Sequence, residues 1–402
     1  MKGFARRSTV DAALAWLDAH LLARESEPVQ LAEVAGRVLA LDVISRFDVP
    51  GFARSMMDGF AVRAADTMGA TPYNRLPLDV IGEVLPGREF QGEIATGQAV
   101  RIMTGAPLPR GADAVLPAEK VEIEAPSKIF ACEDVSPGKH VGQRGEDVAT
   151  GALVLSAGRR LRPQDVGVLS SIGVAEIHVV RRPRVRIVVT GNELLPPGSA
   201  PRGCQIVDAN SPMLAALVAR DGGVPFNPGI VPDDPPAIAA ALRDDADVIL
   251  VSGGSSVGQE DHAPRLLAQL GELAIHGVAM RPSSPVGMGT LDGRLVILLP
   301  GNPVSCLCAY DFFAGRAIRA LGGRTKDWPY LKTRRPLARK LVSTVGRVDY
   351  ARVKLIDGAV EPLAISGASI LSSTTRADGF VIVPEDSEGF PAGAEVELFL
   401  YD

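Results

Sequence analysis

The chain has 402 residues, of which 46% are hydrophobic and 22% charged, and its net charge is only −5. One hydrophobic core does not grow to that size, so roughly two to four domains are expected. The lack of a basic surplus argues against nucleic acid as a partner, and no run approaches the ~18 continuous apolar residues of a membrane span.

Residues Met1 to Val10 lack the apolar core of a secretory signal, so a cytoplasmic protein with no membrane attachment is expected. Thr9 to Leu22 carries apolar positions at helical spacing behind an N-cap at Ser8 or Thr9. Leu31 to Leu39 reads as a second helix, and both read as scaffold. From Asp48 the chain becomes rich in turns, and Ser55-Met56-Met57-Asp58-Gly59-Phe60 sets a carboxylate before a glycine, where a turn is the plain reading. Leu76 to Glu119 alternates short β-like runs with Gly and Pro, as a small all-β domain does. Within it the strand of AVRIMTGA ends at Thr104-Gly105, and Pro107 to Gly111 must be a shaped loop. The run GKHVGQRGEDVATG puts Glu146 and Asp147 in a glycine-bracketed turn, with a solvated turn as the alternative. Pro163 to Leu169 resumes a helix and Ala175 to Val180 a strand, completing a scaffold interrupted by an inserted β domain.

At Arg184 a further domain begins, with VRIVVTGNEL as a strand that places Glu193 just beyond its carboxyl end, where open α/β sheets bind ligands. In QIVDANSPMLAAL, Asp208, Asn210 and Ser211 precede a helix with Pro212 as its first residue, and three polar side chains exceed what one cap needs. Asp233 and Asp234 before Pro235-Pro236 are ordinary for a helix N-terminus. The most informative stretch runs from ADVILVSGGSSVGQED to LVILLPGNP. Asp247 to Val251 reads as a buried parallel strand feeding Ser252, Gly253, Gly254, Ser255, Ser256, Val257 and Gly258. Glycines there let backbone N–H groups approach a ligand and serines add donors, which suits an anionic group. Leu295 to Leu299 leads into Pro300, Gly301, Asn302 and Pro303, with Ser305 beside a second helix start facing the same crevice. A nucleotide-like or pterin-like ligand is expected. Cys132, Cys204, Cys306 and Cys308 show no metal spacing and read as buried free thiols. After Leu321, Leu337 to Val345, Tyr350 to Leu355, Val381 to Val383 and Glu395 to Leu400 read as a small C-terminal β-barrel.

The motifs SMMDGFAVR, RIMTGAPLPRGADAV, GEDV, VTGNEL, VDANSPML, DVILVSGGSSVG, LPGNPVS and ILSSTTRADGFVIVPE stand in the order and spacing of the molybdopterin molybdenumtransferases, the MoeA and gephyrin E-domain family, which the chain resembles over nearly its whole length. The resemblance implies a multidomain α/β and β fold: a discontinuous scaffold (1–47 and 139–180), an inserted β domain (48–138), an α/β molybdopterin-binding domain (181–325) and a C-terminal β-barrel (326–402). It implies a homodimer whose cleft lies between the α/β domain of one subunit and the inserted domain of the other. The implied reaction inserts molybdate into adenylylated molybdopterin with release of AMP and dependence on Mg²⁺. By the same resemblance, Asp58, Glu193 and Asp261 gather round adenylate and metal, and Thr104 and Asp147 match other catalytic positions. Asp208, Asn210, Ser211, Ser252, Gly253, Gly254, Ser256, Gly258, Gly301, Asn302, Pro303 and Ser305 match substrate-binding positions. A molybdopterin adenylyltransferase and recipient molybdoenzymes are the implied partners.

The sequence departs from the family where molybdate is expected. The usual KPGKP is Arg281-Pro282-Ser283-Ser284-Pro285, and a lysine just upstream is replaced by Gly277. Arg281 keeps one cation, and Ser284 offers a hydroxyl for the second. Ser305, Arg347 or Arg352, and Ser372 or Ser373 are expected to help complete an oxyanion pocket. A non-catalytic molybdopterin-binding paralogue is the alternative expectation.

Overall fold

A computed structural model describes residues 7–21, 25–254, 262–364 and 367–401. The chain packs as two compact units, one from residues 28–179 and one from residues 1–27 with 180–402.

In the first unit six strands form one sheet in the order Ala114–Pro117, Gly59–Val62, Gln98–Ile102, Leu76–Val84, Lys128–Ala131, Val121–Ala125. Successive side chains point to opposite faces, and each face has its own core. Phe60, Val62, Leu78, Leu116 and Ile129 fill one, while Ala61, Val84, Val100, Ile102 and Val115 fill the other. A further core joins Val34, Leu39, Leu161, Leu169, Ile172 and Val179, around the helix Pro163–Ser171. The expected helix over Leu31 to Leu39 is absent. One 3-10 turn, Leu31–Glu33, is followed by Gly36 at φ +79°, whose N–H donates to the Leu161 carbonyl. That left-handed residue stops the helix, and Val38 and Leu39 bridge to Arg160 and Val179 instead. The apolar spacing marks burial against neighbouring strands.

The second unit is organised on a sheet ordered Val224–Phe226, Arg184–Val189, Val248–Ser252, Arg294–Leu299, Gly287–Leu291, Glu272–His276. The first four strands run parallel and the last two pairings are antiparallel. All five residues of Val248–Ser252 are buried, as a strand covered on both faces requires. Val185, Ile187, Leu250 and Ile297 face a core shared with the helix Asn210–Arg220 and the helical run from Pro303 to Leu321. Val188, Ile249, Val251 and Val296 face Ile238, Leu242 and Leu267 on the other side. The helix Val10–Ala19 forms as expected, capped by the Thr9 hydroxyl, but its Val10, Ala13 and Leu17 pack into the first of these cores and not into the scaffold.

The C-terminal strands add in the order Met280–Arg281, Val348–Ile356, Gly379–Val383, Glu395–Leu400, Leu331–Pro336, with Ala359–Ala364 pairing on Val348–Ile356. A bridge from Leu337 to Val360 joins the end of the last strand back to that outlier, so the sheet curls round Leu341, Val353, Val381 and Leu398. Met280–Arg281 belongs in sequence to the α/β part, yet pairs in parallel with Val348 and Asp349. Among the described residues no helix is long and apolar enough to cross a membrane. Cys306 and Cys308 are buried free thiols, whereas Cys204 is exposed and Cys132 partly so, because both of these lie outside the packed helix and strand faces.

Candidate functional site

Three parallel strands end level with one another in the second unit, Val189 opposite Ser252 and Ser252 opposite Leu299. The loops that follow therefore leave from one line, and their residues Gly191, Glu193, Gly253, Gly254, Gly301 and Asn302 share a cavity of about 530 Å³. Gly253 has φ +101°, and a Cβ there would lie 2.4 Å from the Thr190 carbonyl oxygen. Only glycine lets the two loops approach so closely. The wall is pinned by Asn210, whose amide nitrogen donates to Ser252 Oγ at 2.9 Å and to the Gly301 carbonyl at 2.8 Å. Asn210 Oδ1, Ser211 Oγ and Thr190 Oγ1 are buried without a hydrogen-bond partner, and of these residues Asn210 and Thr190 line the cavity, where a ligand could supply the missing partner.

The helix beside this cavity begins two residues before Pro212, with Ala209 at its N-cap position, and the Asp208 carboxylate, not Ser211, meets its first N–H groups. Asp208 Oδ1 accepts from the N–H groups of Asn210 at 2.9 Å and Ser211 at 3.0 Å. A carboxylate meets two orphan donors where a serine would meet one, which frees the Ser211 hydroxyl. Asp234 caps the next helix by accepting from Ala237 N–H at 3.2 Å. One acid suffices for that cap, and its neighbour Asp233 lines the cavity. Asp233 was overlooked in sequence because a pair of acids before Pro-Pro reads as helix chemistry; that only one was needed was the available signal. Beneath the floor, the Cys306 thiol receives the Ser252 hydroxyl at 3.7 Å, and burial pushes its pKa up to about 12. It stays a neutral thiol and cannot serve as a nucleophile at ordinary pH.

A second grouping lies where Met280–Arg281 meets the C-terminal sheet. Arg281 Nη2 donates to Asp349 Oδ2, Ser343 Oγ donates to the same oxygen at 2.6 Å, and Arg347 Nε lies 3.3 Å from Asp349 Oδ1. Ser283 takes φ +86°, a strained value for a side-chain-bearing residue, while its hydroxyl donates to the Ser305 carbonyl at 2.5 Å. Ser284 and Pro285 are half-buried, and Ser284 Oγ has no partner. Arg352 is wholly buried, Ser373 is buried with its hydroxyl on the Ile370 carbonyl, and Ser372 is exposed.

The other expected residues belong to the first unit. Asp58 is exposed at the start of Gly59–Val62 and its Oδ1 accepts from both the N–H and the hydroxyl of Thr104, each at 2.7 Å. The Thr104 hydroxyl, then its N–H, hold the Asp58 carboxyl below the usual range. Asp147 is exposed, while its neighbour Glu146 is engaged by Arg54 at 3.0 Å and by Gln143 N–H at 2.8 Å. Ser256, Gly258 and Asp261 lie outside the described residues. Among the described residues no three His, Cys, Asp or Glu side chains cluster closely enough to hold a metal by themselves. Glu193 and Asp233 nevertheless line the same cavity. One or two carboxylates, completed by substrate phosphate and water, are the donor set that Mg²⁺ usually takes.

Residues 8–173 match the profile of the MoeA N-terminal region (domain I and II), residues 186–320 that of a "Probable molybdopterin binding domain", and residues 334–401 that of the MoeA C-terminal region (domain IV). The chain is 35% identical to molybdopterin molybdenumtransferase 2 of Mycobacterium tuberculosis over 92% of its length and 94% of that protein's. It is 31% identical to the molybdopterin molybdenumtransferase of Haemophilus influenzae, covering 93% of each. Two crystal structures of molybdopterin biosynthesis MoeA protein from Pyrococcus horikoshii superpose with TM-scores of 0.86 and 0.80, at 34% and 32% identity, over 98% of this chain and 99% and 100% of theirs.

Proposed function

This chain belongs to the MoeA family of molybdopterin molybdenumtransferases, and from that premise we propose that its crevice binds adenylylated molybdopterin and directs molybdate onto it with release of AMP. The chain is a transferase of molybdenum cofactor biosynthesis. The observation that carries the finer reading is the meeting of glycine backbone, orphaned hydroxyls and two carboxylates at one line of strand ends. N–H groups of the Gly253-Gly254 loop suit the substrate's phosphates, and Thr190, Asn210 and Ser211 suit the polar edge of the pterin.

Glu193 and Asp233 would hold Mg²⁺, which when bound supplies positive charge to the phosphoanhydride and the leaving AMP. Asp58 and Asp261 are proposed to act with Glu193 on adenylate and cation, and Asp147 in the same reaction. Thr104 lowers the Asp58 carboxyl further below the ordinary carboxylate range and fixes its orientation, in the ionised form that a cation ligand takes.

The working form is proposed to be a homodimer acting in the cytoplasm. Leu41, Ile44 and Phe47 are each more than half exposed and line one groove of the first unit, and an apolar surface of that kind fits a second copy of this chain. Substrate would come from an adenylyl transfer to molybdopterin, and product would pass to molybdoenzymes.

The test is AMP release and cofactor formation from adenylylated molybdopterin with Mg²⁺ and molybdate. Glu193→Gln is expected to fold and to lose AMP release by at least about a hundredfold, the scale of a lost charge-stabilising group. Normal AMP release from that variant removes the carboxylate from the mechanism.

A further inference from the structure

We propose that Asp311 is a positioning residue, a buried acid that latches the C-terminal sheet onto the far end of the crevice helix Asn210–Arg220 and so sets how the strand Val348–Ile356 stands to the crevice. The inference rests on the reading of this chain as a molybdenumtransferase, in which the two sides of that latch serve one reaction.

The latch starts in a break of helical period. Between the α-helices Pro303–Ala309 and Gly315–Leu321, the turn Tyr310–Ala314 is π-helical and buried at every position. Such turns are rare, and they are frequent at functional sites. Successive side chains leave a helix at well-separated angles, so Tyr310 and Asp311 reach different elements. The Tyr310 hydroxyl donates to Asp221 Oδ2 at 3.0 Å, just past the end of the crevice helix. Asp311 turns to the C-terminal part: Oδ1 accepts from the Tyr330 hydroxyl at 2.9 Å, Oδ2 from the Tyr350 hydroxyl at 3.2 Å, and its carbonyl from Trp328 Nε1 at 2.8 Å. Arg220, the last residue of the crevice helix, joins the two sides. Its Nη1 donates to the Tyr330 hydroxyl at 2.6 Å, and its Nη2 lies 3.3 Å from Asp311 Oδ1 and 3.0 Å from Asp221 Oδ2.

Charge closes within the latch, and so does space. Asp221 and Asp311 are wholly buried; Arg220 stands against both, and Arg319 Nη1 lies 3.1 Å from Asp221 Oδ1. Two acids thus meet two cations, the condition on which buried charges persist. A Cβ on Gly315 would lie 2.7 Å from Asp221 Oδ2 and 2.8 Å from Arg319 Nη1, so a glycine is needed there for these groups to meet. The surroundings are aromatic: Tyr350 stacks on Phe380 with centroids 4.1 Å apart, and Phe312 meets Trp328 edge-on at 5.0 Å. Apolar packing tolerates rearrangement, whereas a satisfied polar network specifies one arrangement. That arrangement matters because of what adjoins it. Asn210, at the opposite end of the crevice helix, lines the cavity, and Tyr350 directly follows Asp349, which stands across from Arg281. A helix of this length is a rod of about 16 Å, so fixing Arg220 to Tyr350 through Asp311 fixes the crevice to the grouping around Asp349.

The test compares the full chain with Asp311→Asn, Tyr350→Phe and Tyr330→Phe. It measures the molybdate concentration for half-maximal cofactor formation, the molybdopterin affinity, stability in urea, and hydrogen exchange over residues 348–356. Each phenylalanine removes one hydroxyl from Asp311 and one further bond, to Tyr401 or to Arg220, so the two are expected to lose similar stability. A merely structural role makes function follow stability, and the two then act alike. Positioning makes them differ: Tyr350→Phe should raise the molybdate requirement about tenfold or more and Tyr330→Phe no more than about twofold, because only Tyr350 sits on the strand that carries Asp349. Asp311→Asn should act at least as strongly as Tyr350→Phe, and combining them should add nothing, since both cut one connection. All variants should keep the molybdopterin affinity of the parent. Exchange should quicken over residues 348–356 in Asp311→Asn and Tyr350→Phe while Val248–Ser252 keeps its protection. Equal effects of the two phenylalanines on the requirement, an unchanged requirement in a folded Asp311→Asn, or faster exchange with no change in the requirement overturns the inference. Should Asp311→Asn not fold, the phenylalanine variants still decide. A parent that forms no cofactor while the variants show this exchange pattern refutes the transferase reading and leaves the latch standing. A parent that forms cofactor while Asp311→Asn matches it in both measurements refutes the latch alone.

Discussion

The crevice at the strand ends and the corner around Asp349 lie in one unit, yet they are made of different material. The crevice is backbone brought close by Gly253, with Asn210 tying Ser252 to Gly301. The corner is side chain: two arginines, a serine and a buried acid joined across 68 residues of sequence. A site of the first kind is sensitive to added volume and indifferent to which nearby polar residue is present. One of the second kind is sensitive to charge, and it can exchange one cation for another if an anchor holds the replacement.

Gly253→Val breaks the first half of that contrast most severely. A side chain at φ +101° that meets the Thr190 carbonyl at 2.4 Å should cost about 3 kcal/mol of stability, within the range for strained backbone plus overpacking, and abolish molybdopterin binding. Urea unfolding together with molybdopterin titration measures both; a variant that binds normally means that the loop is free to part and that the crevice is not backbone-built.

Arg281→Ala tests the second half. Asp349 then keeps Arg347 and Ser343 but loses its hydrogen-bonded cation, so stability should fall by about 1–3 kcal/mol. Cofactor formation should nearly vanish at ordinary molybdate while molybdopterin still binds. Full activity at low molybdate would remove the corner from the reaction. Asn210→Ala should act in the opposite sense: a loss of about 1–2 kcal/mol for two buried hydrogen bonds, weaker molybdopterin binding, and an unaltered molybdate requirement. If the molybdate requirement rises instead, the two regions are not separable.

The contrast also explains what the sequence disclosed. Val248–Ser252 and Arg294–Leu299 were legible because an apolar, β-branched run closed by glycines describes both a buried strand and the loop it delivers. The overlooked Asp233 and the undivided reading of Asp208, Asn210 and Ser211 share one cause. Capping chemistry uses the same residues as ligand binding, and only coordinates show that Asp208 and Asp234 are the ones engaged. Leu31 to Leu39 misled because burial against strands mimicked helical spacing over nine positions. Asp349 was not legible at all: in GRVDYAR it is one acid between arginines, and its role depends on the pairing with Met280–Arg281 that no local pattern announces.

The smallest expected effect separates two accounts of the corner, with Arg347 in the place of the family's second lysine or with Arg281 as its sole cation. Ser284→Lys restores the lysine of the family's usual signature at a half-buried position whose hydroxyl now lacks a partner. At an effective dielectric near 20, one added unit charge about 4 Å from one unit of the anion's charge contributes roughly 4 kcal/mol before other costs. Burying the ammonium and repulsion from Arg281 and Arg347 offset most of it. If Arg347 already fills the missing cation's place, the net gain should be about 1 kcal/mol or less, a lowering of the molybdate requirement by no more than about fivefold. In an Arg347→Gln background the repulsion falls and the vacancy returns, so the same substitution should gain more. The measurement is the molybdate concentration that gives half-maximal cofactor formation in the parent, the two single variants and the double variant. A gain larger in the native background than in Arg347→Gln would mean that Arg347 and Ser284 serve separate ends, and that this chain works with one cation at its oxyanion corner.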